Sequence, residues 1–148
     1  ILTSPLRRAR QTAQAVAVGR GIPVLVEEDI VEMAFGALEG QLLSDFPACE
    51  CIFSDPEHYV PLEGGESYAQ LDVRCRKLLE EILPPLEGRF HDVVLVSHGA
   101  FIRGVVCRVL GLPLKDFWDA PPQPNCSCTV LELKNGVCTL VEEGRVYG

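Results

Sequence analysis

The sequence is poor in basic residues and lacks any long apolar run. It has 13 lysines and arginines against 21 aspartates and glutamates, a formal net charge of -8 at pH 7. Nucleic acids and anionic membranes are bound through clustered basic residues, so neither is an expected partner, although a local positive pocket is compatible with this charge. No apolar stretch approaches the roughly 20 residues that cross a bilayer, and no export signal is recognisable. We therefore expect a cytoplasmic protein.

Features of a disulfide framework or a zinc cluster are also missing. The seven cysteines are odd in number, and Cys75 and Cys107 lie within apolar helical patterns. The two C-x-C pairs, which begin at Cys49 and Cys126, lack the C-x-x-C spacing and the nearby histidines of a zinc site. Reduced thiols are the favoured interpretation, with a C-x-C metal chelate as the alternative.

The length and composition predict one domain over residues 1–148, because 148 residues with 47% hydrophobic composition can bury a single core. The sequence starts at Ile1-Leu2-Thr3 without a methionine, on an apolar segment that leads directly into a helix. We therefore expect a further segment upstream of Ile1.

The first 26 residues predict a β-α-β unit. Residues 1–3 form the end of a buried strand, Ser4 is the predicted N-cap, and Pro5 is the first helical residue. The helical periodicity ends at Gly19, and residues 24–26 resemble a second strand.

Residues 27–64 have no clear periodicity, which predicts a long connection with a short helix near 42–46. Binding loops tend to lie in such regions. Ser67 to Gln70 has the form of a capping box, and a helix is predicted from there until Pro84 stops it.

The second half of the chain predicts another strand-turn-helix unit and a hairpin. Residues 93–96 are continuously apolar, as in a strand buried on both faces, and the following helix should end at Gly111. Asn135-Gly136 lies between the strand-like segments 129–133 and 137–141 and predicts a tight β-hairpin.

Three arginines, Arg7, Arg8 and Arg10, lie in the opening turns of the first predicted helix. A helix N-terminus carries about half a positive charge, so cations there are unfavourable unless an anion binds between them. Bound phosphate would make this placement favourable. The alternative is a solvated basic face.

Ser97-His98-Gly99 follows a predicted strand directly, at the end of the sheet where open α/β proteins bind ligands. His98 is therefore a candidate site residue, and a hydrogen-bonded core histidine is the alternative. Gly99 is either a tight-turn residue or a point where the backbone approaches a ligand. His58 and His91 have no such setting and are expected on the surface.

Glu32 is the third candidate, because it lies among the apolar residues Val31, Met33, Ala34 and Phe35. A carboxyl group in such surroundings can serve as the acid that protonates a departing alkoxide. A solvated loop glutamate is the alternative.

Four motifs occur in a characteristic order: S-P-L-x-R-A-x-Q-T-A over 4–13, E-x-x-x-G-x-L-E-G over 32–40, G-G-E-S over 64–67, and V-S-H-G over 96–99. In this order and at these intervals they resemble the histidine phosphatase superfamily over nearly the whole chain. The short connection between the second and third motifs resembles the phosphatase branch of that family, whose members include sugar-phosphate, fructose-bisphosphate and α-ribazole phosphatases.

The resemblance implies phosphoryl transfer through a phosphohistidine, without a metal or other cofactor. Arg8 would hold the phosphoryl oxygens, His98 would stabilise the transferring group, and Glu32 would protonate the leaving group and later activate the acceptor. Gly99 would border the bound substrate, a small phosphorylated metabolite. Glu66 in the G-G-E-S motif has no assigned role.

The nucleophilic histidine of that family lies in an N-terminal R-H-G motif, which this sequence lacks. The 148 residues alone are therefore expected to be inactive. A phosphoglycerate-type mutase and a non-catalytic relative that binds a phosphate ligand are the alternatives to a phosphatase.

The implied fold is a three-layer α/β/α sandwich of the phosphoglycerate-mutase type with a C-terminal β-hairpin. Its mostly parallel sheet would lack the first, central strand, which should lie beside the strand that ends at His98. An unpaired strand edge favours association, so an oligomer is compatible with this fold.

Overall fold

The computed structural model describes residues 1–46 and 51–147 of the chain. Three short parallel strands form a sheet in the order β2-β1-β3, with β1 at Leu2–Thr3, β2 at Leu25–Val26 and β3 at Leu95–Val96. Leu2 is opposite Leu25 on one side and Leu95 on the other. Each crossover between these strands contains helical segments, as parallel pairing requires.

Helix α1 spans Arg7–Ala17 and packs against β1 and β3. It begins two residues later than predicted, because Ser4 does not cap it. The Ser4 Oγ accepts the N–H of Leu6 at 3.3 Å and also hydrogen-bonds His98, so the chain turns once more before the helix starts. The end is as predicted, with Gly19 at a φ of 71°.

The connection between β2 and residue 68 contains short helical segments and an isolated bridge between Phe35 and Gly65 in its described part. The α-helical one, α2, spans Cys51–Ser54. The helix predicted near 42–46 is a 3-10 turn at Leu43–Asp45. Cys49, part of one predicted C-x-C pair, lies outside the described residues.

Helix α3 spans Tyr68–Lys77 and starts with the predicted capping box between Ser67 and Gln70. A π-helical turn at Leu78–Ile82 follows, and the chain leaves the helix at Pro84.

Helix α4 spans Gly99–Leu110 and ends, as predicted, at Gly111 with a φ of 69°. Helix α4 packs closely against α3 at Gly104. A Cβ atom on this residue would lie only 2.8 Å from the Cys75 Sγ, which is too close for a real side chain. The small residue thus sets the distance between the two helices.

Strand β3 is shorter and less buried than predicted. Only Leu95–Val96 of residues 93–96 pairs, both residues are half-buried, and Val94 is 40% exposed. The reason is that β1 offers only two residues for pairing, and within the described residues β3 has no strand on its other side. The prediction of a strand buried on both faces is wrong for this structure.

The C-terminal hairpin forms a separate antiparallel sheet of β4, Ser127–Lys134, and β5, Val137–Val146. Its two-residue turn is the predicted one, with φ of 54° at Asn135 and 74° at Gly136. Both strands extend beyond the predicted ranges, and β5 packs against α4.

The core lies between α3, α4 and the segment after α4. Tyr68, Phe101 and Phe117 are almost fully buried, and the rings of Tyr68 and Phe117 meet edge to face at 4.7 Å. Such pairs stabilise beyond their area burial. No described helix has the length and apolar content that a bilayer crossing needs.

Candidate active site

Two strand ends bring the candidate residues together. Thr3 at the end of β1 is paired with Val96 at the end of β3, and each strand runs through a short turn into a helix. The N-termini of α1 and α4 therefore open on the same edge of the sheet. Each N-terminus contributes partial positive charge, which favours a nearby anion or carboxylate.

His98 lies between Ser4 of the β1–α1 turn and Arg8 of the first turn of α1. The Arg8 Nε–H donates to the His98 Nδ1 at 3.1 Å, and the His98 Nε2 lies 2.7 Å from the Ser4 Oγ. Since Nδ1 accepts, the neutral ring carries its proton on Nε2 and donates it to Ser4. His98 and Ser4 are buried, whereas the Arg8 side chain reaches solvent.

The surroundings of His98 favour its neutral form. Burial lowers the pKa of His98 below its ordinary value, and the adjacent Arg8 guanidinium lowers it further, while the Glu32 carboxylate opposes the shift. The imidazole is therefore neutral near pH 7 and offers one N–H to a ligand.

Glu32 occupies the N-terminus of α4. Its Oε1 accepts the N–H groups of Met33 at 2.9 Å and Phe101 at 3.2 Å, and its Oε2 accepts that of Ala100 at 3.4 Å. The carboxylate thus satisfies amides that have no acceptor within the helix. Glu32 is therefore not a solvated loop glutamate, which is the alternative that its sequence context leaves open.

Arg8 and Glu32 line one cleft of about 530 Å³. Its remaining wall is mainly apolar and includes Leu6, Phe35 and Phe53. His98 does not line the cleft, but its Nδ1 accepts from Arg8, which does. Three residues that lie far apart along the chain, Arg8, Glu32 and His98, thus lie at or beside one cleft.

Gly99 is the first residue of α4, and a Cβ atom there would meet nothing within 4 Å. Packing within the chain therefore does not require a glycine at this position. Arg7 and Arg10 are exposed and do not line the cleft, so one arginine of the three reaches the site.

His58 and His91 lie on the surface as expected, with 75% and 97% of their side chains exposed. Each hydrogen-bonds a neighbouring aspartate, Asp55 or Asp92, which raises its pKa above the ordinary value. Neither is part of the cleft.

None of the described cysteines lines the cleft. Cys75 and Cys107 are buried, and burial raises the pKa of their thiols to about 12 and about 11. In the part of the chain that the structure describes, no three histidine, cysteine or acidic side chains are grouped as a metal site would require.

Two groups near the site were not identified from the sequence. The sequence predicts Ser4 as a helix cap, whereas a serine directly after one of two neighbouring strands can also reach the turn that follows the other strand, as Ser4 does with His98. Arg74 lies on α3 and donates to main-chain carbonyls beside Glu32. No local pattern distinguished it from any other helical arginine.

An α/β chain that brings an arginine, an imidazole and a carboxylate together beyond the carboxyl ends of its parallel strands has the features of a phosphate-handling protein. The chain belongs to the histidine phosphatase superfamily, branch 1, because the model of that family matches residues 1–145. This confirms the family that the four motifs resembled.

Relatives of the chain include phosphatases. It is 32% identical over 122 residues to phosphoserine phosphatase 1 of Hydrogenobacter thermophilus, an alignment that covers 80% of this chain and 57% of the relative. YhfR of Bacillus stearothermophilus has a similar structure, with a TM-score of 0.89, 28% identity and coverage of 99% of this chain and 73% of that one.

A mycobacterial glucosyl-3-phosphoglycerate phosphatase, solved with inorganic phosphate, superimposes with a TM-score of 0.82 at 26% identity and covers 99% of this chain and 76% of its own. These likenesses confirm the phosphoglycerate-mutase-like fold with its parallel sheet and C-terminal hairpin. The chain spans little more than half of the phosphoserine phosphatase it matches.

Proposed function

We propose that this chain carries the phosphate-binding and proton-transfer groups of a phosphatase that hydrolyses a small phosphomonoester. The observation that carries the proposal is the convergence of Arg8, His98 and Glu32 on one edge of the sheet, beside two helix N-termini. The relatives named phosphatases support it, as does the phosphate held by one structural neighbour.

Arg8 and His98 are the proposed phosphate ligands. The guanidinium supplies charge and a planar set of donors, and the neutral imidazole supplies its Nε2–H. Phosphate binding replaces the Arg8–His98 contact and the His98–Ser4 contact with donation to phosphoryl oxygens. These donors stabilise charge on the transferring group, which is the main requirement of phosphoryl transfer.

The nucleophilic imidazole of the phosphohistidine route is proposed to lie outside these 148 residues. The His98 Nε2 carries the proton that it is proposed to donate to the phosphoryl group, so this nitrogen has no free lone pair. His58 and His91 lie on the surface beside aspartates. None of the three is placed as an attacking group in the cleft.

Glu32 is the proposed proton donor and acceptor. In the first step the nucleophilic nitrogen bonds to phosphorus, the bond from phosphorus to the ester oxygen breaks, and Glu32 in its acid form gives that oxygen a proton. In the second step water attacks phosphorus, the phosphorus–nitrogen bond breaks, and the Glu32 carboxylate takes the proton from water. The N–H groups of Ala100 and Phe101 hold the carboxylate in place for this step.

Binding is tested by calorimetric titration with phosphate and with vanadate. Arg8→Ala and His98→Asn should weaken binding by about tenfold or more, because each removes a donor to the anion. Arg10→Ala is the matched control, since it removes an equal charge from the same helix outside the cleft. Equal effects of the Arg8 and Arg10 changes, or no binding to the unchanged protein, would overturn the proposal.

Turnover is tested on the protein expressed from its complete open reading frame, with a panel of phosphomonoesters. Release of inorganic phosphate identifies a phosphatase, whereas transfer to a second phosphorylated acceptor identifies a mutase. Phosphate binding with no turnover of any ester would identify a non-catalytic relative.

A further inference from the structure

The carbonyl groups directly before Glu32 accept hydrogen bonds from side chains of distant elements. The carbonyl oxygens of Asp29 and Val31 both accept from Arg74 Nη1, at 2.7 and 2.9 Å. The carbonyl oxygen between them, on Ile30, accepts from the Ser97 Oγ at 2.7 Å. Three consecutive carbonyls immediately before Glu32 are therefore fixed by α3 and by the end of β3.

The other edge of the Arg74 guanidinium is occupied by Glu66. Nε and Nη2 donate to the two carboxylate oxygens at 2.7 and 2.6 Å, so the pair is bidentate. Both side chains are mostly buried, and the guanidinium lies 5.1 Å from the centre of the Phe101 ring. This geometry leaves the guanidinium little rotational freedom.

Glu66 also contacts the chain beyond Glu32. Its backbone N–H donates to the carbonyl of Ala34 at 2.8 Å, and the neighbouring Gly65 pairs with Phe35. The Glu66–Arg74 pair thus joins the segment before Glu32 to the segment after it.

We infer that Arg74 and Glu66 are positioning residues that fix the Glu32 carboxylate against the N-terminus of α4. The inference rests on the proposed role of Glu32 and gives Glu66 of the G-G-E-S motif a function. A buried ion pair adds little stability compared with apolar residues of the same size, so orientation of the loop is its main contribution. Neither side chain lines the cleft.

Lys77 offers a matched control on the same helix. Its Nζ lies 2.6 Å from the Asp29 carboxylate, at the same loop, but the pair is more exposed than Arg74 and Glu66. Lys77→Met removes an ion pair to this loop and leaves the carbonyl contacts of Arg74 intact.

Hydrogen exchange of the Phe101 amide measures the position of Glu32 directly, because this first-turn N–H donates to Glu32 and not to a helix carbonyl. Glu66→Gln and Arg74→Lys should each speed its exchange by about tenfold or more, approaching Glu32→Ala. Amides in the middle of α4, such as that of Val106, should keep their protection and show that the variants fold. Lys77→Met should change neither amide. Unchanged Phe101 exchange in both positioning variants would overturn the inference.

Turnover supplies a second readout that loss of packing would not produce. An acid that is misplaced slows esters of poor leaving groups more than those of good ones, because a good leaving group needs little protonation. Arg74→Lys and Glu66→Gln should lower kcat/KM, which reports the ester-cleaving step, at least about tenfold more for an alkyl phosphate than for p-nitrophenyl phosphate.

Glu32→Gln separates the two hypotheses. If this variant lowers kcat/KM equally for the alkyl phosphate and for p-nitrophenyl phosphate, the proposed role of Glu32 is wrong. If Glu32→Gln slows the alkyl phosphate more, and Arg74→Lys and Glu66→Gln do not, the inference about Arg74 and Glu66 is wrong while the proposed role of Glu32 stands.

Discussion

The loop that carries Glu32 and the C-terminal hairpin are stabilised in opposite ways. The hairpin pairs with itself, from Lys134 opposite Val137 to Ser127 opposite Val146, so its contacts join residues close in sequence. The loop is fixed by groups from α3, β3 and residues 63–66, which lie far along the chain. Long-range contacts form only when the rest of the fold does. Damage to the loop should therefore change function strongly, and damage to the hairpin should stay local.

The largest predicted difference concerns one carboxylate in each region. Glu32→Gln removes the proposed acid and base and should lower kcat for an alkyl phosphate by about 10²-fold or more. Glu132→Gln makes the same change on the exposed face of β4, away from the cleft, and should leave turnover unchanged. Steady-state kinetics on the protein from the complete reading frame checks this. Similar rates in all three proteins would remove Glu32 from the mechanism.

Two glycines with positive φ give the next contrast. Gly36 in the loop has a φ of 55°, and a Cβ atom there would lie 2.3 Å from both the Glu63 carbonyl oxygen and the Gly65 nitrogen. Gly136 in the hairpin turn has a φ of 74° and open space around it.

Gly36→Ala must therefore displace backbone and should lower the free energy of unfolding by about 3 kcal/mol or more. Gly136→Ala creates no clash and should lower the free energy of unfolding by about 1 kcal/mol, the cost of a left-handed backbone at alanine. Urea denaturation of both variants tests this. Equal losses of unfolding free energy in the two variants would show that the backbone around Gly36 can shift to make room for a Cβ atom.

Removal of Glu87, which binds the hairpin turn, should change the free energy of unfolding less. The exposed Glu87 carboxylate accepts the N–H groups of Asn135 at 2.7 Å and Gly136 at 2.8 Å, which joins the turn to the chain before β3. Glu87→Ala should cost up to about 1 kcal/mol of unfolding free energy, because solvent replaces part of the lost bonds. Exchange of the turn amides should increase, while the Phe101 amide and turnover stay unchanged. Loss of turnover would contradict the separation between hairpin and site.

The same contrast explains what the sequence could predict. The Asn135-Gly136 turn, the Ser67 capping box and the Gly111 helix end depend on neighbouring residues, and all three are confirmed. The start of α1 was predicted wrongly, because the Ser4 hydroxyl bonds a histidine 94 positions away. The length of β3 was also wrong, since it depends on how many residues β1 offers for pairing.

The sequence predicts the members of the candidate site but not the contacts that hold them in place. Arg8, Glu32 and His98 followed from the order of four motifs, and the pairing of Thr3 with Val96 explains why they meet. The contacts of Arg74 with Asp29 and Val31 span 45 and 43 positions and leave no periodic trace in the sequence. The catalytic roles of Arg8, Glu32 and His98 stay predictions until turnover is measured.

The smallest predicted effect is a pH dependence that belongs to the site and not to the hairpin, which contains no histidine. Burial and Arg8 lower the pKa of His98 in the folded protein below its unfolded value of about 6.5. Between these two pKa values the unfolded chain binds more protons, so stability rises with pH there and is lost as pH falls below about 6.5.

His58 and His91 have raised pKa values and act in the opposite direction, so His98→Asn is needed to isolate one histidine. The free energy of unfolding of the unchanged protein should exceed that of His98→Asn by more at pH 7.5 than at pH 5.5. Urea denaturation at both pH values measures this difference, because the two surface histidines cancel between the proteins. A difference that is constant, or larger in acid, would mean that His98 does not lie neutral between Arg8 and Ser4.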